Sequence, residues 1–126
     1  MKRFYKMSGS EMEIMKVIWE LAAPVTLSQL LSIFESKEWK IQTLATFLTR
    51  LSDKGLIAIT KRTKGNIYAP TITEQKYRQL EAQNLLDSMY SGSLQGFLSA
   101  LYNGGEVNAR EVEELREWFE KVGEND

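Results

Sequence analysis

The chain has 126 residues, 43% of them apolar, with sixteen Lys/Arg against seventeen Asp/Glu, a net charge of −1; this fits one domain or two small cooperating ones around a packed core. The near-neutral total conceals an asymmetry, because residues 1–73 carry a net +5 and residues 74–126 a net −6, so the N-terminal part attracts a polyanion and the C-terminal part repels one. There is no cysteine and no histidine, which excludes disulfides, thiolate nucleophiles, histidine-based triads and most zinc or transition-metal sites.

The N-terminal MKRFYKMSGSEMEIMK has basic residues but no apolar signal segment. No run anywhere is long and apolar enough to span a bilayer, so a cytoplasmic protein without membrane insertion is expected. Lys2, Arg3 and Lys6 read as a tail that either grazes a nucleic-acid backbone or is simply solvated. A first helix opens near Ser8, where Ser8 and Glu11 have capping-box spacing. Its core face is Met12, Met15, Ile18 and Trp19, widened by Ile14 and Leu21, and Pro24 ends it. Thr26 and Gln29 form a second capping box, opening a helix that buries Leu27, Leu30, Leu31 and Phe34. SKEWK is the turn, with Trp39 as a buried plug.

A third helix spans about Ile41 to Asp53, with an apolar seam at Leu44, Leu48 and Leu51 flanked by Ala45 and Phe47, and with Gly55 placed for the C′ position. Gln42, Thr43, Thr46 and Arg50 recur at helical spacing and share one exposed face. Short polar side chains with one arginine suit base edges and phosphates in a major groove, although the same face could simply be solvated. Leu56 to Thr60 reads as a strand, Lys61 to Asn66 as a basic hairpin tip, and Ile67 to Ala69 as the return strand, with Pro70 at its end. Lys61, Arg62 and Lys64 just after such a helix favour phosphate contact over an ordinary charged turn, and phosphate contacts fix register without reading sequence.

Thr73 opens a long helix to about Tyr90, broken by Ser91-Gly92-Ser93. Leu94 to Tyr102 is a short apolar helix, and Asn108 and Glu111 cap a last one ending near Val122-Gly123; only the last few residues read as disordered. Three helices of this length cannot bury Leu86, Met89, Tyr90, Leu94, Phe97, Leu98, Leu101, Leu115, Trp118 and Phe119 alone. A homodimer buries them by sharing, with a ligand pocket at Trp118-Phe119 as the lesser alternative. The carboxylates of Glu111, Glu113, Glu114, Glu117 and Glu120 fall on different helix faces and read as a solvated surface rather than a metal site. The expected architecture is therefore mostly α with a small β-hairpin: a winged helix-turn-helix DNA-binding domain over residues 1–72 and a three-helix dimerisation region over 73–126.

Three passages, in order and at kept spacing over nearly the whole chain, resemble the penicillinase-repressor family of bacterial transcription regulators (BlaI/MecI/CopY type). They are Ser8-Gly-Ser-Glu11-Met-Glu-Ile-Met15-Lys-Val-Ile18-Trp19; Thr43-Leu-Ala-Thr46-Phe-Leu-Thr49-Arg50-Leu51 with Lys54-Gly55-Leu56-Ile57 and Tyr68-Ala-Pro70; and Gly92-Ser93-Leu94 with Val112-Glu113-Glu114-Leu115-Arg116. The resemblance implies a homodimeric repressor of promoter sites with inverted TACA/TGTA-like half-sites. Its recognition helix maps to Gln42, Thr43, Thr46 and Arg50, and its wing to Lys61, Arg62, Lys64 and Asn66.

The chain departs from the family in three places. Lys40 stands where a serine often precedes the recognition helix; it is a poor N-cap unless a phosphate lies nearby, which places Lys40 with the DNA-contacting residues. The cysteine-rich motif of the copper-responsive branch is absent. The β-lactam-responsive branch is inactivated by cutting an Asn-Phe bond, which makes a membrane sensor-protease a candidate partner, but the matching bond here is Ala100-Leu101. The leading reading is a sequence-specific repressor that needs no cofactor. The alternative is a winged-helix protein-interaction module without DNA binding, and an enzyme fits least for want of chemistry-bearing residues.

Overall fold

The computed structural model describes residues 6–105 and 107–125; Lys2 and Arg3, the start of the basic tail, lie outside them. The elements in chain order are α1 (Gly9–Leu21), β1 (Val25–Thr26), α2 (Leu27–Ile33), a 3-10 turn (Glu35–Lys37), α3 (Ile41–Asp53), β2 (Ile57–Thr60), β3 (Ile67–Pro70), α4 (Glu74–Met89), α5 (Leu94–Asn103) and α6 (Ala109–Asn125). Two compact units result, Met1–Glu81 and Ala82–Asp126.

Local signals account for most boundaries. Both expected capping boxes form, Ser8 with Glu11 and Thr26 with Gln29, each side chain satisfying a helix N–H that would otherwise lack a partner. The first helix ends before Pro24, at Leu21, because Ala22 takes the left-handed conformation that terminates the hydrogen-bond ladder. α3 spans Ile41 to Asp53 as its periodicity indicates, and Gly55 turns the chain out of it at φ 77°.

The core of the first unit is built from Ile14, Met15 and Ile18 of α1, Leu30 of α2, Leu44, Leu48 and Leu51 of α3, and Val25, Leu56, Ile57, Tyr68 and Tyr77. Met12, Trp19, Leu27, Leu31, Phe34 and Trp39 pack around it half-buried, and Leu21 does not join it, being 45% exposed. The sheet has three strands in the order β1-β3-β2, all antiparallel, rather than a two-stranded hairpin alone. Val25 pairs with Tyr68 and Thr26 with Ile67, while β2 pairs from Ile57 opposite Pro70 to Thr60 opposite Ile67. The extra strand closes one edge of the wing, and β3 includes Pro70 because a proline at a strand end leaves no ladder donor missing.

In the second unit α5 starts at the Ser93 cap, whose hydroxyl accepts the Gly96 N–H. α6 starts where the Asn108 side chain accepts the Glu111 N–H. It continues to Asn125, past the end expected near Val122-Gly123 and through residues read as disordered. Arg110–Glu114 and Glu113–Arg116 pairs lie along its first half.

Candidate nucleic-acid interface

α3 is held at both ends. At its start Trp39 lies between Phe34 of α2's end and Phe47 of α3, with ring centroids 5.2 Å from each. It is a half-buried wedge rather than a buried plug, packing the turn against both flanking elements. Lys37 in that turn pairs with Glu13 of α1 at 3.0 Å. At the other end, the Leu56 N–H donates to Leu51 O and the Lys54 N–H to Arg50 O, at 3.0 Å each.

Lys54 then reaches back to α1. Its ammonium donates to both Glu11 carboxylate oxygens at 2.5 and 3.0 Å and to the Lys6 carbonyl at 2.9 Å. Glu11 is 1% exposed. Burial alone would raise its pKa, but hydrogen bonds from Lys54 and from the Ser8 N–H, with the Lys54 charge, outweigh burial and hold the carboxyl below the usual range. Sequence reasoning found Glu11 only as a capping residue; its partner is distant in sequence, and no local periodicity marks it.

This framing leaves one arc of α3 open. Gln42, Thr46 and Arg50 are exposed and Thr43 is half-buried beside the seam. The Thr46 hydroxyl donates to Gln42 O at 2.8 Å and the Thr49 hydroxyl to Ala45 O at 3.0 Å. Each proton is thus spent on the backbone, and what these threonines offer a ligand is an acceptor oxygen and a methyl group. Thr49 is exposed close to Gln42 and Thr46 in helical angle. It was missed as a candidate although the same helical spacing could have found it.

Lys40 occupies the N-cap with φ −73° and ψ 156° and supplies no capping hydrogen bond. The N–H groups of the first turn and the ammonium beside them therefore make the start of α3 electropositive. The β2–β3 connection turns on a Gly65 N–H to Arg62 O bond of 3.1 Å. It carries Lys61, Arg62 and Lys64 exposed and Asn66 half-buried. None of Lys40, Arg50, Lys61, Arg62 and Lys64 is in an ion pair among the described residues. A set of uncompensated cations on a helix and a wing, together with acceptor oxygens and methyls on the helix, can bind phosphates and meet base edges.

The second unit presents a different surface. No residue of α5 or α6 is buried among those described. Met89 is 70% exposed and Trp118 55%; Leu94, Leu101 and Phe119 are also exposed, and Leu86, Tyr90, Phe97, Leu98 and Leu115 are half-covered. Tyr90 packs edge-on against Phe97 at 5.5 Å and Trp118 against Phe119 at 5.0 Å. An open hollow of about 450 Å³ is lined by Leu94, Leu98, Tyr102 and Phe119. The Ala100-Leu101 bond lies inside α5, in a regular helix with both residues exposed. Of the α6 carboxylates, Glu113, Glu114 and Glu120 face arginines of the same helix.

Comparison with known proteins gives a consistent picture. The profile of the family described as penicillinase repressor matches residues 7–121. A penicillinase repressor of Bacillus licheniformis is 27% identical over 121 residues, covering 96% of this chain and 94% of that protein. The methicillin resistance regulatory protein MecI of Staphylococcus aureus (strain N315) is 26% identical over 117 residues, covering 93% and 95%. Among solved structures, the DNA-binding domain of the repressor BlaI in solution superposes with a TM-score of 0.53 at 31% identity, over 61% of this chain and 94% of that one. The Bacillus licheniformis BlaI monomeric form in complex with the blaP half-operator gives 0.50 at 31% identity with the same coverage.

Proposed function

The chain belongs to the penicillinase repressor family, and from that premise we propose that it is a sequence-specific transcriptional repressor, working in the cytoplasm as a homodimer on an inverted-repeat operator of TACA/TGTA type. Residues 1–72 would read the DNA and residues 73–126 would join two copies. α3 enters the major groove, where Thr43 and Thr46 touch base methyls or edges, Gln42 hydrogen-bonds a base or phosphate, and Arg50 holds a base or the backbone. Lys40 and the wing residues Lys61, Arg62, Lys64 and Asn66 take phosphates.

The observation that carries this reading is the unpaired basic set on α3 and the wing, on a helix pinned at both ends by Trp39 and Lys54. A pinned helix presents its side chains to a duplex without first having to be ordered. The relative seen with a half-operator, at 31% identity, supports the same mode of binding.

Fluorescence anisotropy of the purified chain against an inverted-repeat duplex and a scrambled one, over a salt series, tests the proposal. Repeat-selective, salt-sensitive binding is expected, and Arg50→Ala should weaken operator binding at least tenfold, the order of one lost bidentate contact, while leaving the dimer intact. Undiminished operator affinity in Arg50→Ala would refute the role given to that residue. No binding to either duplex at low salt would instead make the α3 face a protein-docking surface.

A further inference from the structure

Ile41, the first residue of α3, is 59% exposed; the other large apolar side chains exposed in the first unit, among the described residues, are Ile33 at 47% and Leu21 at 45%. It stands between two exposed polar residues, Lys40 and Gln42, and Lys40 leaves the helix end uncapped. Because the Cα–Cβ bonds of a helix tilt toward its N-terminus, a side chain on the first residue projects past the helix end rather than onto a preceding turn. A large β-branched apolar group therefore stands at the leading end of the helix, on a surface otherwise made of cations, amides and hydroxyls.

A duplex that meets this surface offers polar partners almost everywhere. Its one apolar feature in the major groove is the C5-methyl of thymine. Recognition helices of helix-turn-helix proteins touch base edges with their N-terminal residues. We propose that Ile41 is a specificity-determining residue that packs on a thymine methyl in each half-site, an inference that rests on the operator-reading function above. Thr46 lies more than a turn further along and has its hydroxyl tied to Gln42 O, so the thymine read by Ile41 is a different one from any read by Thr46.

The test uses the full-length chain. Duplexes are first selected from a random library, and each thymine of the selected site is then replaced by deoxyuridine, which removes only the methyl group. One thymine in each half-site should weaken wild-type binding by about fourfold when its methyl is removed, the scale of one buried methyl group. That loss should vanish in Ile41→Ala and shrink in Ile41→Val. The exposure of Ile41 predicts that both variants keep the wild-type urea midpoint, and Ile41→Val serves if Ile41→Ala does not. Equal losses in wild type and in the variants at every thymine, or a selected half-site without thymine, would overturn the assignment while leaving the repressor function standing. A library that yields no enriched site would overturn the function itself, and this inference with it.

Discussion

Lys54 binds three groups at once: the two oxygens of a carboxylate with 1% exposure and the Lys6 carbonyl. The half of this arrangement that is local was legible in the sequence, since Ser8 and Glu11 sit three residues apart in a capping box. The half that crosses from α1 to the end of α3 was not, because pairing over that separation is decided only when the helices pack. Removing Lys54 leaves a buried charge without its partner, so Lys54→Met should lower the unfolding free energy by about 2–4 kcal/mol, the lower end reflecting the partial exposure of the lysine. The pH dependence has a definite sign. The folded-state pKa of Glu11 is lowered from the ordinary carboxyl value, so the pair's contribution is complete at neutral pH and is lost as pH falls through the folded value. Glu11→Gln keeps a residue competent for the capping box and deletes only the charge. Urea unfolding at pH 7 and pH 3 should show a larger loss on acidification for wild type than for Glu11→Gln; equal losses would contradict the role given to the pair.

α3 is the element that the sequence described best. The seam Leu44-Leu48-Leu51, the glycine at position 55 and the polar arc from Gln42 to Arg50 all agree, and the helix lies where they place it. β1 was invisible for a physical reason: two residues cannot show a period of two, and Val25-Thr26 also serves as the approach to the α2 cap. α3's first turn, in contrast, breaks the usual capping rule, with Lys40 in an extended backbone conformation that a capping serine would also adopt. If that departure serves DNA, Lys40→Ser should separate stability from binding. The serine hydroxyl accepts the N–H of Thr43, and thermal or urea unfolding should show a gain of about 1 kcal/mol. Operator affinity should fall, and the slope of log affinity against log salt should lose about 0.9 per phosphate contact removed. A stabilised protein with an unchanged salt slope would take Lys40 out of the interface.

Across the whole molecule, charge and exposed apolar surface are unevenly distributed. The sequence-derived division at 72/73 follows the change of charge, whereas the first compact unit runs on to Glu81. The reason is Tyr77, which is 1% exposed, accepts the Met7 N–H at 3.2 Å and packs 5.9 Å from Trp19; the first turns of the long helix belong to the first unit's core. What remains, residues 82–126, carries −6 from Asp/Glu over Lys/Arg and leaves Met89, Tyr102 and Trp118 more than half exposed. Exposed apolar side chains of this kind are costly in water and are expected at an interaction face, and an acidic unit repels DNA rather than a second copy's apolar surface. Trp118→Glu puts a charge into that face. Sedimentation of the wild type should give twice the chain mass, and the variant should give the chain mass with its helix content unchanged. The variant should bind the inverted repeat more than tenfold more weakly, because two linked half-site contacts become independent ones, while its affinity for a single half-site should match the wild-type value. Arg50→Ala should show the opposite pattern, a full dimer that no longer holds the operator. A Trp118→Glu protein that remains dimeric would move the pairing surface off α6, and one that loses half-site binding as well would show that the two units do not act separately.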